Sequence, residues 1–542
     1  MKRLILLLAL VQAGICNAAD TLIRVRSMQV PVLVGAADNI FCEIRIPSAA
    51  GRRMESVTLR FSDDTDLSLI RSVRLYYSGV ESRECDGERF RPVDSYFPPA
   101  DGSMRSARPA YSVLQSEVRR PQRSSVLSSG QEMSGPADYF WISLEMKRTA
   151  SPDAVVAACV TDIVIDGLPA AFGACDGVGT PRRMGVGVRH AGDDGVAAYR
   201  IPGLVTTKKG TLLGVYDVRY RHSGDLQEKI DVGVSRSTDG GKSWKPMKIA
   251  MTFAGEGGLP HEQNGVGDPS VLVDENTGTI WIMASWAHGM GNTRAWTASG
   301  HGLSARETGQ LVLVRSDDDG RTWSKPVNIT AQVKDPAWHY LLQGPGRGIT
   351  MRDGTIVFPA QYQDENRMPH ATIIYSRDHG STWHIGTGAR SDTTEAQVVE
   401  TEEGVLMLNM RDNRGGSRAV AVTSDMGRTW SEHPSSRSAL REPVCMASLL
   451  KVRAEENVLG RDILIFSNPD TDTGRHHITI KASLDGGLTW KKANSMLLDE
   501  DKGWGYSCLT LTDPETIGIL YESSVAHMTF QRIKIKDLIT EL

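Results

Sequence analysis

The 542-residue chain is poor in cysteine, in aromatic residues and in long helical patterns, and each shortage narrows what it can be. Seven cysteines are scattered along it (Cys16, Cys42, Cys85, Cys159, Cys175, Cys445 and Cys508), with no pair at CxxC spacing. That excludes a disulfide-dense scaffold and a zinc site built on paired thiolates. Aromatics make up only 6% while glycine reaches 53 residues, a balance that favours many tight turns over long helices. Net charge is −4, so no global positive field points to nucleic acid, and no nucleic-acid motif is visible. Beyond the N-terminus no run approaches the roughly 18 apolar residues that a membrane helix needs. What is present, 40% hydrophobic and 23% charged residues, is ordinary globular composition.

The N-terminus carries an address. Lys2 and Arg3 precede an unbroken apolar run from Leu4 to Val11, and small residues follow up to Cys16-Asn17-Ala18-Ala19. This pattern predicts a signal peptide over 1–19, cleaved after Ala18 or Ala19, and export to the periplasm or the medium. Lipidation at Cys16 fits less well, because Ile15 stands where a small residue is expected. Six cysteines then remain. The four before residue 180 could form up to two bridges or stay as buried thiols.

Residues 20–180 read as short alternating strands, such as Ser72-Val-Arg-Leu-Tyr-Tyr77 and Tyr139-Phe-Trp-Ile-Ser-Leu144, separated by polar turns. A β-sandwich is the natural packing for such a set. The Gly-, Ala- and Pro-rich stretch 167–195 reads as a linker.

After residue 230 the chain repeats itself. Ser237-Thr-Asp239-Gly-Gly241-Lys-Ser243-Trp244 recurs as Ser316…Trp323, Ser376…Trp383, Thr423…Trp430 and Ser483…Trp490, all fitting S/T-x-D-x-G-x-S/T-W. The physics is that of a hairpin turn: Asp accepts backbone N–H bonds, Gly takes positive φ, and Trp buries a large apolar surface. The Trp-to-Trp spacings of 79, 60, 47 and 60 residues suit one four-stranded sheet per copy. Residues 185–542, at roughly 60 per sheet, predict a six-bladed β-propeller, so the whole chain reads as all-β. The repeat itself is expected to be structural, its Asp residues not catalytic.

These copies resemble the Asp-boxes of the sialidases. Tyr199-Arg200-Ile201-Pro202, upstream of the first box, resembles the F/Y-R-I-P motif that opens exo-sialidase catalytic domains. The resemblance covers about 185–542, and the N-terminal region resembles the extra sandwich domain of some bacterial sialidases. Such boxes also occur in other propellers, so by themselves they speak to fold and not to function.

The resemblance implies an exo-α-sialidase and a set of site residues. Three arginines clamp the substrate carboxylate: Arg200, Arg411 in Asn409-Met-Arg411-Asp-Asn413, and Arg475, for which Arg461 is a nearby competitor. Planar guanidinium groups suit this task, since they hold a carboxylate bidentately and stay charged at every working pH. The matching acid/base is Asp225, with Asp217 and Asp231 as neighbours. The matching nucleophile is Tyr506, in Gly505-Tyr-Ser507, chosen over Tyr521, and Glu395 is its activating base. Glu522 matches the residue that braces Arg200, and Arg219 and Asp268 match residues lining the sugar's hydroxyl side. Sialidases with a tyrosine nucleophile are a recognised exception among glycosidases. A carboxylate nucleophile would be repelled by the carboxylate already on the anomeric carbon, whereas a phenol is neutral until activated. The implied substrates are sialylated glycans, glycoproteins and glycolipids, and the chain is expected to act as a monomer. No cofactor is expected, and no acidic loop demands calcium. His476 and His477, expected on opposite faces of a strand, do not suggest a metal site. Transfer of the sialosyl group to another sugar, or sialic-acid binding without catalysis, are the competing readings.

Overall fold

Alternation of apolar and polar side chains drives both halves of the molecule. The structure, a computed structural model, describes residues 22–47, 50–80, 112–173, 179–291 and 293–541. The expected signal peptide, Cys85 and Cys175 lie outside these. The chain divides near residue 182 into two units. The only α-helices among the described residues are three single turns, Ala295–Ala298, Thr330–Val333 and Ile535–Leu538.

The first unit is a sandwich of two antiparallel sheets. One runs in the order Arg24–Ser27, Asn39–Pro47, Ala137–Met146, Ile70–Val80, Val113–Arg119; the other Leu168–Pro169, Ala158–Ile165, Arg53–Phe61, Ser124–Glu132. In Arg53–Phe61 the inward set is Met54, Val57, Leu59 and Phe61. The phase slips between Met54 and Val57 because the pairing with Ser124–Glu132 is irregular between Met54 and Ser56. Ile44, Leu75, Phe140 and Ile142, which share a face of the other sheet by register, are fully buried. Cys42 and Cys159 are buried in this unit.

The second unit is a ring of six sheets, each built on four antiparallel strands with the chain running from the ring's centre outward. In the first sheet these strands are Ala198–Thr206, Leu212–Arg219, Ile230–Ser237 and Lys248–Met251. Innermost strands of successive sheets neighbour one another around the centre. The sixth sheet contains Ser507–Asp513, Thr516–Tyr521 and Met528–Lys534 and takes its outer strand, Arg182–Arg189, from the start of the unit. Val186 pairs with Phe530 and Gly187 with Thr529, which closes the ring. The stretch 167–195, expected as a linker, therefore carries a structural strand. Its glycines at 185 and 187 dilute an alternation in which only Met184 and Val188 are buried apolar side chains.

Every repeat joins the third strand of its sheet to the fourth. In all five, the hydroxyl-bearing residue before Trp donates its N–H to the Asp Oδ1 at 2.8–3.0 Å and its hydroxyl to Oδ2 at 2.5–2.7 Å. The leading Ser or Thr accepts the N–H of the box glycine at 2.8–3.0 Å. That glycine sits at φ between +74 and +87°. A Cβ on Gly241 would overlap Phe530, and one on Gly380 would overlap Trp281, so the glycine also lets the turn touch the preceding blade. Trp244 packs edge-on against Phe530, and Trp383 against Trp281. Five boxes for six blades follows from the closure: the sixth sheet borrows its outer strand and has no third-to-fourth connection to carry a box.

Candidate active site

Antiparallel order places the second-to-third strand connections at the end of the ring opposite the boxes. At that end a cavity of about 330 Å³ is lined by Arg200, Asp225, Asp268, Glu395, Arg411, Arg475 and Tyr506, with Trp296 and Tyr340 on its wall. Each polar residue arrives from a strand end or one of these connections. Arg200 lies in the first strand of the first blade, Asp268 in the first strand of the second, Glu395 in Thr393–Glu402 and Arg411 in Val405–Asp412. Tyr506 immediately precedes Ser507–Asp513.

One half of the cavity is organised around Tyr506. Its hydroxyl donates to Glu395 Oε1, and the other oxygen of that carboxylate receives Arg411 Nη1 at 2.6 Å. Arg411 Nη1 also lies 3.3 Å from the phenol oxygen. The guanidinium carbons of Arg200 and Arg475 stand 5.3 and 5.6 Å from the Tyr506 ring centroid. Arg475 is tied by its Nη1 to the Trp504 carbonyl at 3.0 Å. Burial pushes the Tyr506 phenol well above its ordinary value, the Glu395 carboxylate adds to this, and Arg411 and Arg475 oppose it. The phenol is thus neutral at rest, with its acceptor already in contact.

Glu522 fixes this arrangement from below. Fully buried, it receives Arg200 Nε at 3.0 Å, the Ile201 N–H at 2.9 Å and the Tyr506 N–H at 2.9 Å. One carboxylate therefore locks both the arginine and the tyrosine backbone. Ile201 is held at φ +62°, a costly conformation for a β-branched residue, of order 1–3 kcal/mol. The pairing of its strand is irregular between Arg200 and Gly203, and this break turns Arg200 toward the cavity.

The other half is a ladder of alternating charge. Asp217, fully buried, takes Arg219 Nε and Nη2 at 3.0 and 2.8 Å on Oδ2, and the Asp268 N–H at 2.8 Å on Oδ1. Arg219 Nη1 then reaches Asp225 Oδ1 at 2.9 Å. Asp268 also has positive φ, +56°, at a strand irregularity between Gly267 and Ser270. Burial opposes charge on Asp225, yet Arg219, Arg200 and Arg294 hold its carboxyl well below the usual range. Burial and the neighbouring Asp217 push Asp268 well above it, against the pull of Arg219.

The structure thus brings together Arg200, Arg411, Arg475, Asp225, Asp268, Glu395 and Tyr506 in one cavity, with Arg219 and Glu522 directly behind them. The alternatives fall elsewhere. Arg461 is exposed in the connection at the opposite end of its blade. Asp231 is bound to the Tyr220 hydroxyl and His261, and the Tyr521 hydroxyl to Gln531. Cys445, a buried free thiol, packs with Ile201 and Met446 around Tyr506. His476 and His477 precede the strand Ile478–Ser483. Their Nδ1 atoms lie 2.6 Å apart, so they do not point to opposite faces; positive φ at His477 turns the rings toward each other.

Two features escaped the sequence reading. Arg294, from the connection after the second strand of the second blade, reaches Asp225 Oδ2 at 2.6 Å. Arg418 and Glu442, both fully buried, pair at 3.0 Å. Arg418 also grips the Asn409 side chain at 2.7 Å and the Cys445 carbonyl at 2.7 Å. Glu442 Oε1 receives the Asp412 N–H at 3.0 Å. This pair holds the backbone on either side of Arg411 and the loop under Tyr506. The one cue in sequence is Arg418, a charged residue heading the apolar run Ala419–Val422.

The chain matches two family descriptions: the N-terminal domain of BNR-repeat neuraminidase over residues 20–169, and a BNR repeat-like domain over 201–522. It is 56% identical over 526 residues to a sialidase of Bacteroides fragilis, covering 97% of this chain and 96% of that protein. A Clostridium perfringens sialidase is 31% identical over 347 residues, 60% of this chain and 86% of its own. The solved structure of the Hadza microbial sialidase Hz136 superposes with a TM-score of 0.91 at 59% identity, covering 95% of this chain and all of that one.

Proposed function

The chain belongs to the BNR-repeat neuraminidases, the sialidase family of glycoside hydrolases, and from that premise we propose that it is an exported exo-α-sialidase that works with retention through Tyr506. The observation that carries the mechanism is the hydrogen bond from the Tyr506 hydroxyl to Glu395 in the presence of three converging guanidinium groups.

Sialic acid bears a carboxylate on its anomeric carbon. Arg200, Arg411 and Arg475 receive that carboxylate, which places the anomeric carbon over the Tyr506 oxygen. As the bond to the leaving group lengthens, positive charge develops on the sugar. Tyr506 attacks the anomeric carbon while its proton passes to Glu395, and the neutral phenol avoids the repulsion that a carboxylate would meet. Asp225 protonates the departing glycosidic oxygen, then takes a proton from the water that releases the sugar. Two inversions give net retention. Asp268 faces the sugar's hydroxyl side, Arg219, expected there too, is buried behind the cavity and acts through Asp217 and Asp225, and Glu522 keeps Arg200 and Tyr506 in register. The substrates are terminal sialic acids of glycoproteins and glycolipids. The basic, apolar and small-residue order of residues 1–19 supports export.

The test follows turnover of an α-sialoside by proton NMR. The α-anomer of free sialic acid should appear first and mutarotate afterwards; first appearance of the β-anomer would overturn retention. Added lactose should yield little sialyllactose, and dominant transfer would make the chain a transglycosylase instead.

A further inference from the structure

Asp225 has a different neighbour on each oxygen, and the two neighbours differ in how firmly they are held. Oδ1 receives Arg219 Nη1 at 2.9 Å and lies 3.7 Å from Arg200 Nη1. Both arginines are buried and anchored, Arg219 by Asp217 and Arg200 by Glu522. Oδ2 receives Arg294 Nη2 at 2.6 Å. Arg294 is 67% exposed, and Asp225 is its one ion-pair partner among the described residues.

A general acid needs a proton, and that proton belongs on the oxygen not already claimed by an immovable cation, here Oδ2. A guanidinium is a donor only and has no acceptor to offer an O–H group. Arg294 and a proton therefore compete for the same oxygen. We propose that Arg294 is a displaceable gate on Asp225: it occupies Oδ2 in the free enzyme, keeps the carboxylate anionic, and leaves when the glycosidic oxygen of the substrate arrives. On its departure Asp225 takes one proton from solvent onto Oδ2 and passes that proton to the leaving oxygen. The substrate carboxylate assists, because it offsets the charge of Arg200. Among the described residues, Asp268 and the phenol of Tyr340 also interact with Asp225, and Asp217 lies behind Arg219; none of these can donate a cationic bond. Arg294 is thus a positioning residue that makes protonation of the acid conditional on an occupied site. The inference rests on Asp225 being the acid.

The experiment measures kcat/KM against pH at low ionic strength, on sialyllactose and on 4-methylumbelliferyl sialoside, for wild type, Arg294→Gln, Arg294→Lys and Asp225→Asn. The alkaline limb on sialyllactose reports the free enzyme's acid. In Arg294→Gln it should move up by about one pH unit, the low end of what an adjacent cation does to a carboxyl, while Arg294→Lys should restore it. The aryl substrate, whose leaving group needs little protonation, should shift less. An alkaline limb in Arg294→Gln within about 0.2 units of wild type, with the fold intact by circular dichroism, would overturn the gate. Asp225→Asn separates the two failures. It should lose activity on sialyllactose far more than on the aryl sialoside. Equal retention on both would remove Asp225 as the acid and the gate with it.

Discussion

The two ends of the propeller use carboxylates in opposite ways. At the box end, Asp239, Asp318, Asp378, Asp425 and Asp485 are each satisfied within their own octapeptide, by a hydroxyl and an N–H four residues on; Asp318, for example, takes its N–H and hydroxyl bonds from Thr322. At the pocket end, Glu395 binds Arg411 sixteen residues away and Tyr506 across 111, and Glu522 binds Arg200 across 322. A carboxylate closed on its own turn specifies a local conformation and can be copied. A carboxylate that spans blades specifies a unique juxtaposition, which only the closed ring supplies. Repetition therefore marks scaffold, and chemistry sits where the repeat leaves off.

The sharpest way to break this contrast is at Tyr506. Tyr506→Phe removes one oxygen from a buried ring and should leave stability and inhibitor binding nearly unchanged. Its kcat should fall by about three orders of magnitude or more, as for the loss of a nucleophile. A variant that keeps a tenth of its activity would mean that the oxygen is not the nucleophile. Arg411→Lys should come next. The ammonium cannot reproduce a planar fork between Glu395 and substrate, so kcat/KM should drop by about 10²–10³, or roughly 3–4 kcal/mol. A loss under threefold would take Arg411 out of the clamp.

Glu442→Gln tests whether the buried layer behind the pocket belongs to the site or to the scaffold. It leaves Arg418 charged in a dry environment, with an expected stability loss of about 3–5 kcal/mol. If the pair also positions Arg411 and Tyr506, kcat should fall in the surviving folded enzyme at temperatures well below its Tm, with KM less affected. Equal kcat at 20 °C would confine the pair to stability.

The smallest effect belongs to the boxes. Asp378→Asn weakens one exposed turn, at a cost of about 1 kcal/mol, and should leave kcat/KM unchanged. Hydrogen bonds from Thr382, against a smaller opposing effect of burial, hold the Asp378 carboxyl at about 2, below its ordinary 3.8. A depressed folded value means that stabilisation is complete above pH 4 and is lost as pH falls toward 2. The difference in stability between wild type and Asp378→Asn, measured by denaturant titration, should therefore shrink over that window. A difference that is constant from pH 5 to pH 2 would contradict the turn account.

The same contrast explains what could be read in the sequence. The boxes were legible because every partner lies within eight residues, so five copies announced the blades and their spacing announced the ring. Arg200, Arg411 and Tyr506 were legible through short motifs around each, and the structure places them in one cavity. The closing strand Arg182–Arg189 was not legible, because its partner Met528–Lys534 lies more than 300 residues on and glycines interrupt its alternation. Nor were Arg294, Arg418 and Glu442. An arginine acquires meaning only from the carboxylate it meets, and for Arg294 that carboxylate is 69 residues away on another blade.

A retaining reaction through Tyr506 requires a covalent bond between its oxygen and the anomeric carbon, and one measurement addresses that bond directly. The native enzyme is trapped with a 3-fluorosialosyl fluoride, quenched, digested and mapped by mass spectrometry. The predicted result is one sialosyl adduct per chain, on the peptide containing Tyr506 and localised to that residue by fragmentation. An adduct on Glu395, or full inactivation with no adduct on Tyr506, would contradict it.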